Sequence, residues 1–102
     1  MKVKGWNNGS PRPSGAGYGI RISKADRDAC FKKTWTHVEI EIPGAGTISA
    51  TLSPSFWREC CEIRNKHIGQ WLIRKTLVPW RKNSVPAVHL THLASNRFRL
   101  HV

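Results

Sequence analysis

The stretch that decides the fold is WTHVEIEIPGAGTISATL, residues 35–52. Apolar and polar side chains alternate on both sides of a central Pro-Gly-Ala-Gly segment, a pattern typical of two strands joined by a turn. The sequence therefore predicts an antiparallel β-hairpin with one buried face and one solvent-exposed face. The predicted buried face consists of Val38, Ile40, Ile42, Ile48, Ala50 and Leu52.

The exposed face of this hairpin carries two carboxylates, Glu39 and Glu41. Paired carboxylates can serve acid–base chemistry or bind a metal ion. No third ligand or polar partner stands near them in the sequence, so a solvated strand face explains both. His89 and His92 are three residues apart, a spacing that sends them to opposite faces of a strand. We therefore predict no metal ion, no cofactor and no catalytic residue.

Three shorter elements are predicted around the hairpin. Residues 18–23 alternate between apolar and other side chains, which predicts a strand. Residues 23–33 predict a helix, because a serine that can cap its N-terminus is followed three residues later by an aspartate. Residues 53–64 predict a second helix, since they begin with a capping serine and a proline in the first helical position.

The C-terminal part of the chain is predicted to be mainly β-structure. Residues 68–78 fit either a helix or a strand, and their β-branched residues and following proline favour the strand. A loop follows, and residues 87–93 predict another strand. Residues 97–102 alternate between apolar and basic or imidazole side chains, so we predict a final strand that presents Arg97 and Arg99 on one exposed surface.

Together these elements predict a small α+β protein. About five or six strands would form a bent, mostly antiparallel sheet or a partly open β-barrel with two short helices. Residues 18–102 would form one globular domain, whereas residues 1–17 contain little to bury and predict a flexible basic tail. The order of elements is compatible with that of the small DNA-binding pseudobarrels of plant B3 and restriction-enzyme effector domains, an analogy of fold alone.

Charge is the strongest global signal in the sequence. The chain has 102 residues and a net charge of +11 at pH 7. The first 25 residues hold five basic residues and no acidic ones, and the last forty hold eight basic residues and no acidic ones. All six acidic residues lie between Asp26 and Glu62. Such segregated positive charge favours a polyanionic partner, and we predict that the protein binds DNA or RNA.

The candidate contact residues are the basic and aromatic side chains of the C-terminal part. Arg97 and Arg99 are expected to reach base edges if their strand enters a groove, and Trp80 is the candidate for stacking on a base. Trp80 has an equally good explanation as a side chain that closes the edge of the core. The predicted phosphate contacts are Arg64, Lys66, Arg74, Lys75, Arg81, Lys82, Arg97 and Arg99.

Two other functions fit the same residues. Aromatic and arginine side chains are also frequent anchors of protein interfaces, so an acidic protein partner of the phage or toxin–antitoxin type is one alternative. A small nuclease that works without metal, through His89 or His92 and neighbouring cations, is the other. Mixed nucleic acid would bind poorly in the first case and would be cleaved in the presence of a chelator in the second.

The cysteine pattern bears on the cellular compartment. Cys60 and Cys61 are adjacent and Cys30 is the only other cysteine, so no disulfide framework is predicted and a cytoplasmic setting is expected. The N-terminus lacks the apolar stretch of a signal peptide, and no apolar run approaches the length of a membrane span. The oligomeric state is left open.

Overall fold

Seven strands and two α-helices form the part of the chain that the computed structural model describes, residues 1–59, 61–81 and 83–102. In chain order they are β1 (Lys2–Asn7), β2 (Tyr18–Arg21), α1 (Lys24–Cys30), β3 (His37–Ile42), β4 (Gly46–Thr51), a 3₁₀ turn (Pro54–Trp57), β5 (Glu62–Arg64), α2 (Lys66–Arg74), β6 (Ala87–Ala94) and β7 (Arg97–His101).

The strands form one sheet in the order β4-β3-β7-β6-β1-β2-β5. Neighbouring strands are antiparallel except β3 and β7, which run parallel. The two edge strands, β4 and β5, approach each other, so the sheet curls into a nearly closed barrel. The predicted α+β class and barrel-like sheet are therefore confirmed, with seven strands in place of five or six.

The inward faces of the strands and one face of α2 form the core. Phe98 lies at its centre, stacked on Phe31 with ring centroids 4.8 Å apart, and Phe56 packs on Phe31 at 5.2 Å. The largest fully buried side chains are Trp71, Phe56, Phe98, Ile20, Ile22, Ile40, Ile42, Ile63, Ile68, Leu72, Leu90 and Leu100. Burial of this apolar surface is the main term that stabilises the fold.

The elements predicted from clear local patterns are confirmed. The hairpin pairs β3 with β4, with Ile40 opposite Ile48. The hydroxyl of Ser23 caps α1 by accepting the Asp26 N–H at 3.1 Å. The predicted strands at residues 18–23, 87–93 and 97–102 correspond to β2, β6 and β7.

The flexible tail predicted for residues 1–17 is wrong, because residues 2–7 form the inner strand β1. Val3 pairs with Val88 of β6, and Gly5 pairs with Ile20 of β2. The following loop is also held, since the Asn8 N–H donates to the Gly17 carbonyl at 2.9 Å. With only one large apolar side chain facing the core, β1 depends on backbone hydrogen bonds along both edges. No domain boundary falls at residue 17, because the sheet runs through β1.

The helix predicted over residues 53–64 is also wrong beyond its first turn. The helical segment ends at Trp57, and Glu62–Arg64 forms β5 along the open edge of β2. Ile63 matched a helical apolar stripe in the sequence, but in the fold it faces Ile20 across the sheet. The open edge of β2 has backbone N–H and C=O groups that need partners. Pairing with them outweighs the local helix propensity of residues 62–64. Cys60 lies outside the described residues.

The strand preferred for residues 68–78 is wrong, because Lys66–Arg74 forms α2. The side chain of Asn65 caps this helix by accepting the His67 N–H at 2.8 Å. Ile68, Trp71 and Leu72 follow the spacing i, i+3, i+4 and are buried on one face. Within the described ranges, no helix combines the length and apolar composition that crossing a membrane requires.

The α2 helix touches the loop between β1 and β2 through two glycines. Gly15 has a positive φ of 96°, a conformation that glycine adopts without strain. A Cβ atom built on Gly69 would overlap the carbonyl group of Gly15. The loop and the helix can therefore approach this closely only while residue 69 has no side chain.

We expect Gly69→Ala to destabilise the protein by about 1–3 kcal/mol, as overpacking does. This is opposite in sign to the gain of about 1 kcal/mol that the same change brings at an open helical position. Urea unfolding measures the effect, with Arg74→Ala at an exposed position of α2 as control, expected within about 0.5 kcal/mol of wild type. An increase in stability for Gly69→Ala would contradict the close contact.

Candidate functional site

The outer face of the sheet brings basic side chains from both ends of the chain together. The alternation of each strand turns Lys2, Lys4 and Trp6 of β1 outward, opposite the buried Val3. Strands on either side add further outward-facing basic side chains. We call the whole set the cationic face: Lys2, Lys4, Trp6, Arg21, Arg64, His89 and His101.

The strand register arranges this face in rows across the sheet. One row runs from Lys4 to Arg21, which is directly opposite it. Another runs from Lys2 through His89 to His101. The rings of these two histidines are stacked with centroids 5.4 Å apart, and His101 Nε2 lies 2.8 Å from Thr91 Oγ1.

The third row pairs an aromatic ring with a cation. Trp6 is opposite Gly19, and Gly19 is opposite Arg64. Because Gly19 has no side chain, the guanidinium of Arg64 lies over the Trp6 ring, 4.9 Å from its centroid. The cation–π contact holds both side chains in a fixed position on the outer face.

A single buried carboxylate lies beneath two of the arginines. The side chain of Glu62 is only 3% exposed, and its oxygens lie 3.6 Å from Arg21 Nε and 3.4 Å from Arg64 Nη2. The two guanidinium groups are more than half exposed themselves. One negative charge thus orients two positive charges, and the group keeps an excess of positive charge at the surface.

The two lysines of β1 have no such neighbour. Among the described residues, no carboxylate oxygen lies within 4.0 Å of the Lys2 or Lys4 ammonium group. Both lysines are exposed. Their charges therefore remain available to an anion from solution.

The arginines of β7 lie on the exposed surface, as the alternation predicts, but they face carboxylates. Arg97 is in register with Glu39, and Arg99 with Glu41, on the parallel strand β3. Arg99 Nη2 is 3.5 Å from Glu41 Oε2. The two carboxylates reduce the positive potential at this margin of the sheet.

The other predicted contact residues are distributed over several elements. Arg64 belongs to the cationic face, whereas Lys66, Arg74 and Lys75 are exposed on α2 and its C-terminal cap. Arg81 is exposed in the loop after α2. Lys82 lies outside the described residues. The structure thus joins Arg64 with residues from the first 25 rather than with its predicted partners.

Trp80 is packed rather than exposed as a free platform. Its ring centroid is 5.9 Å from that of Tyr18. Its ring edge would lie 3.3 Å from a Cβ atom on Gly5. The half-buried indole therefore closes the edge of the core, the second of the two roles that the sequence allows.

Lys2, Lys4, Trp6 and Arg21 of the cationic face are not among the contact residues predicted from the sequence. The signal was present, since Lys2 to Trp6 alternates strictly between outward polar or aromatic and inward small or apolar residues. The Gly- and Pro-rich segment that follows obscured it by giving the whole region the composition of a tail.

Among the described residues, His92 and Arg27 make contacts of their own away from the cationic face. His92 Nε2 is 2.6 Å from the Ser95 carbonyl, and its ring packs on Phe98, so it lies apart from His89. Arg27 is buried and donates to the Phe56 carbonyl at 3.0 Å. The hydrogen bond with Asp28 raises the pKa of Arg27. This charged guanidinium bridges α1 and the segment around Phe56. In the part of the chain that the structure describes, no three His, Cys, Asp or Glu side chains converge as metal ligands would.

Three comparisons were made with known proteins. No family model matches the chain, no curated protein matches its sequence and no solved structure matches it.

We expect the Trp6–Arg64 contact to contribute to stability, because a cation over an aromatic face is attracted to it. In a double-mutant cycle with Trp6→Leu and Arg64→Met, we expect a coupling free energy of about 0.5–1 kcal/mol. The control cycle replaces Arg64→Met with Arg97→Met, two strands away from β1, and should show coupling within about 0.5 kcal/mol of zero. Equal coupling in both cycles would contradict the stacked geometry.

Proposed function

We propose that the protein binds nucleic acid through the cationic face. The observation that carries this proposal is the pair of exposed lysines without nearby carboxylates, Lys2 and Lys4, beside the oriented guanidinium groups of Arg21 and Arg64. A polyanion would replace the counterions that such a surface attracts from solution. The net charge of +11 favours the same class of partner and speeds its association.

The phosphates are the main contacts in this proposal. Four cations that each neutralise one phosphate of duplex DNA would make log K fall with log salt at a slope of roughly −3 to −4. The fixed Arg64 guanidinium can donate to a phosphate through its outer N–H groups, since guanidinium geometry suits bidentate contacts. Such contacts position the protein without reading the sequence.

The β7 arginines have a secondary role in the proposal. Arg97 and Arg99 extend the surface at its edge, where Glu39 and Glu41 weaken their attraction for phosphate. Their contact with base edges stays a prediction. Cys30 and Cys61 are free thiols, which agrees with the cytoplasmic setting that we include in the proposal.

Removing the β1 charges tests the proposal directly. We expect Lys2→Met/Lys4→Met to weaken binding to duplex DNA, single-stranded DNA or RNA and to reduce the salt slope by about 2 in duplex DNA. Fluorescence anisotropy with labelled oligonucleotides, between about 50 and 200 mM salt, measures both quantities.

The matched control removes the same charge elsewhere. Lys32→Met/Lys33→Met changes two exposed lysines of the loop after α1 and should leave the affinity closer to wild type. Equal losses of affinity in the two double variants would show that binding depends on the net charge of the protein and not on the cationic face. Absence of binding to all three nucleic acids at low salt would overturn the proposal in favour of an acidic protein partner.

Intrinsic fluorescence can identify the aromatic residue at the interface. Trp6 lies on the cationic face, whereas Trp80 is packed against Tyr18. We expect Trp6→Phe to lose most of the fluorescence quenching caused by nucleic acid, and Trp80→Phe to retain it, because the contact lies at the outer face. Loss of quenching in Trp80→Phe, with quenching retained in Trp6→Phe, would place the interface at the loop after α2 instead.

A further inference from the structure

A cleft opens in the cationic face where β2 leaves the sheet. The last paired residues of β1 and β2 are Lys4 and Arg21. Beyond them, β1 continues to Lys2 along β6, while the other chain segment turns through Ser23 into α1. Lys2, Lys4, Arg21 and Ser23 thus surround the cleft.

The lining of the cleft suits an anion. Its volume is about 220 Å³ and it is lined by Lys2, Lys4, Arg21, Ile22 and Ser23. Three of the five lining residues are cationic, and none is acidic.

The charges of the cleft are only partly balanced. Arg21 shares the Glu62 carboxylate with Arg64, at 3.6 Å from its Nε. Within the described chain, no carboxylate oxygen comes within 4.0 Å of either lysine. Both lysine side chains that line the cleft are therefore without an ion-pair partner among the described residues.

Ser23 adds a neutral donor to this set. Its Oγ accepts the Asp26 N–H at 3.1 Å as the cap of α1. This bond uses a lone pair of the oxygen and leaves the hydroxyl proton free to donate. The residues that line the cleft thus carry ammonium, guanidinium and hydroxyl donors, a set that suits the several acceptor oxygens of a phosphate group.

We infer that this cleft binds one phosphate group, and that this phosphate fixes the position of the nucleic acid on the cationic face. The inference rests on the proposed function and adds a specific anchoring point to it. The same chemistry would accept an internal phosphodiester or a terminal phosphate monoester of a strand. Neighbouring phosphates contact Arg64, His89 and His101 with less geometric constraint.

Titration with inorganic phosphate, followed by NMR of the ¹⁵N-labelled protein, tests the inference. Sodium chloride keeps the ionic strength constant. We expect saturable shifts of the Lys2, Lys4, Arg21 and Ser23 amides, and no saturable shift at Arg99. Lys4→Met should lower the affinity for phosphate about tenfold, as loss of one charge-assisted hydrogen bond does. The control Lys33→Met should retain the wild-type affinity.

Oligonucleotides with a 5′-phosphate or a 5′-hydroxyl group distinguish the two sources. Tighter binding of the phosphorylated strand, lost in Lys4→Met, would identify a terminal phosphate. Equal binding of both strands, weakened to the same extent by Lys4→Met, would identify an internal phosphodiester. Either result would support the binding of a phosphate group in the cleft.

The inference and the proposed function fail in different ways. If phosphate causes no saturable shift in the cleft, or if Lys4→Met binds phosphate as wild type does, the inference is overturned even where nucleic acid still binds. If phosphate binds in the cleft but no oligonucleotide binds the protein, the proposed function is overturned and the anion site stands. Circular dichroism establishes that each variant is folded.

Discussion

The backbone pairing of β1 with two neighbours is the constraint on which the rest of the structure depends. Without β1, the sheet would separate into a four-stranded part, β4-β3-β7-β6, and a two-stranded part, β2-β5. Hydrogen bonds along both edges of β1 join these parts into one curved wall. The core closes only when the wall is continuous, because α2 packs against β2 while Phe98 comes from β7. A two-stranded ribbon alone is marginal in water.

The same pairing segregates the charges. Each strand alternates, so a continuous wall places apolar residues inside and cations outside across several strands at once. The acidic side chains of β3 lie toward one end of the sheet order, beside the arginines of β7. The basic side chains of β1, β2 and β5 lie away from these two carboxylates in the sheet order. The pairing of β1 with β2 and β6 thus determines both the closure of the core and the position of the cationic face.

Local patterns in the sequence predicted the elements that are stabilised locally. The hairpin, α1, β6 and β7 carry their alternation or caps within their own residues, and these predictions are confirmed. The strands β1 and β5 were missed because their partners are distant in sequence; Gly5 and Ile63, for example, both meet Ile20. The helix α2 was missed although its apolar spacing was visible, because the residues after Arg74 favoured a strand. Of the contact residues predicted from the sequence, Arg64 lies on the cationic face that β1 creates, and the role of the others in binding stays a prediction.

Amide hydrogen exchange of Val3 and Gly5, followed by NMR, tests the central role of β1 most directly. Both residues lie within the sheet, and the Gly5 N–H donates to the Pro86 carbonyl at 2.9 Å. If β1 is an inner strand, the protected amides along it exchange only with opening of the barrel, at rates close to those of the β6 core amides. Exchange of the whole segment at the rate of an unstructured peptide would contradict both the seven-stranded sheet and the cationic face built on it.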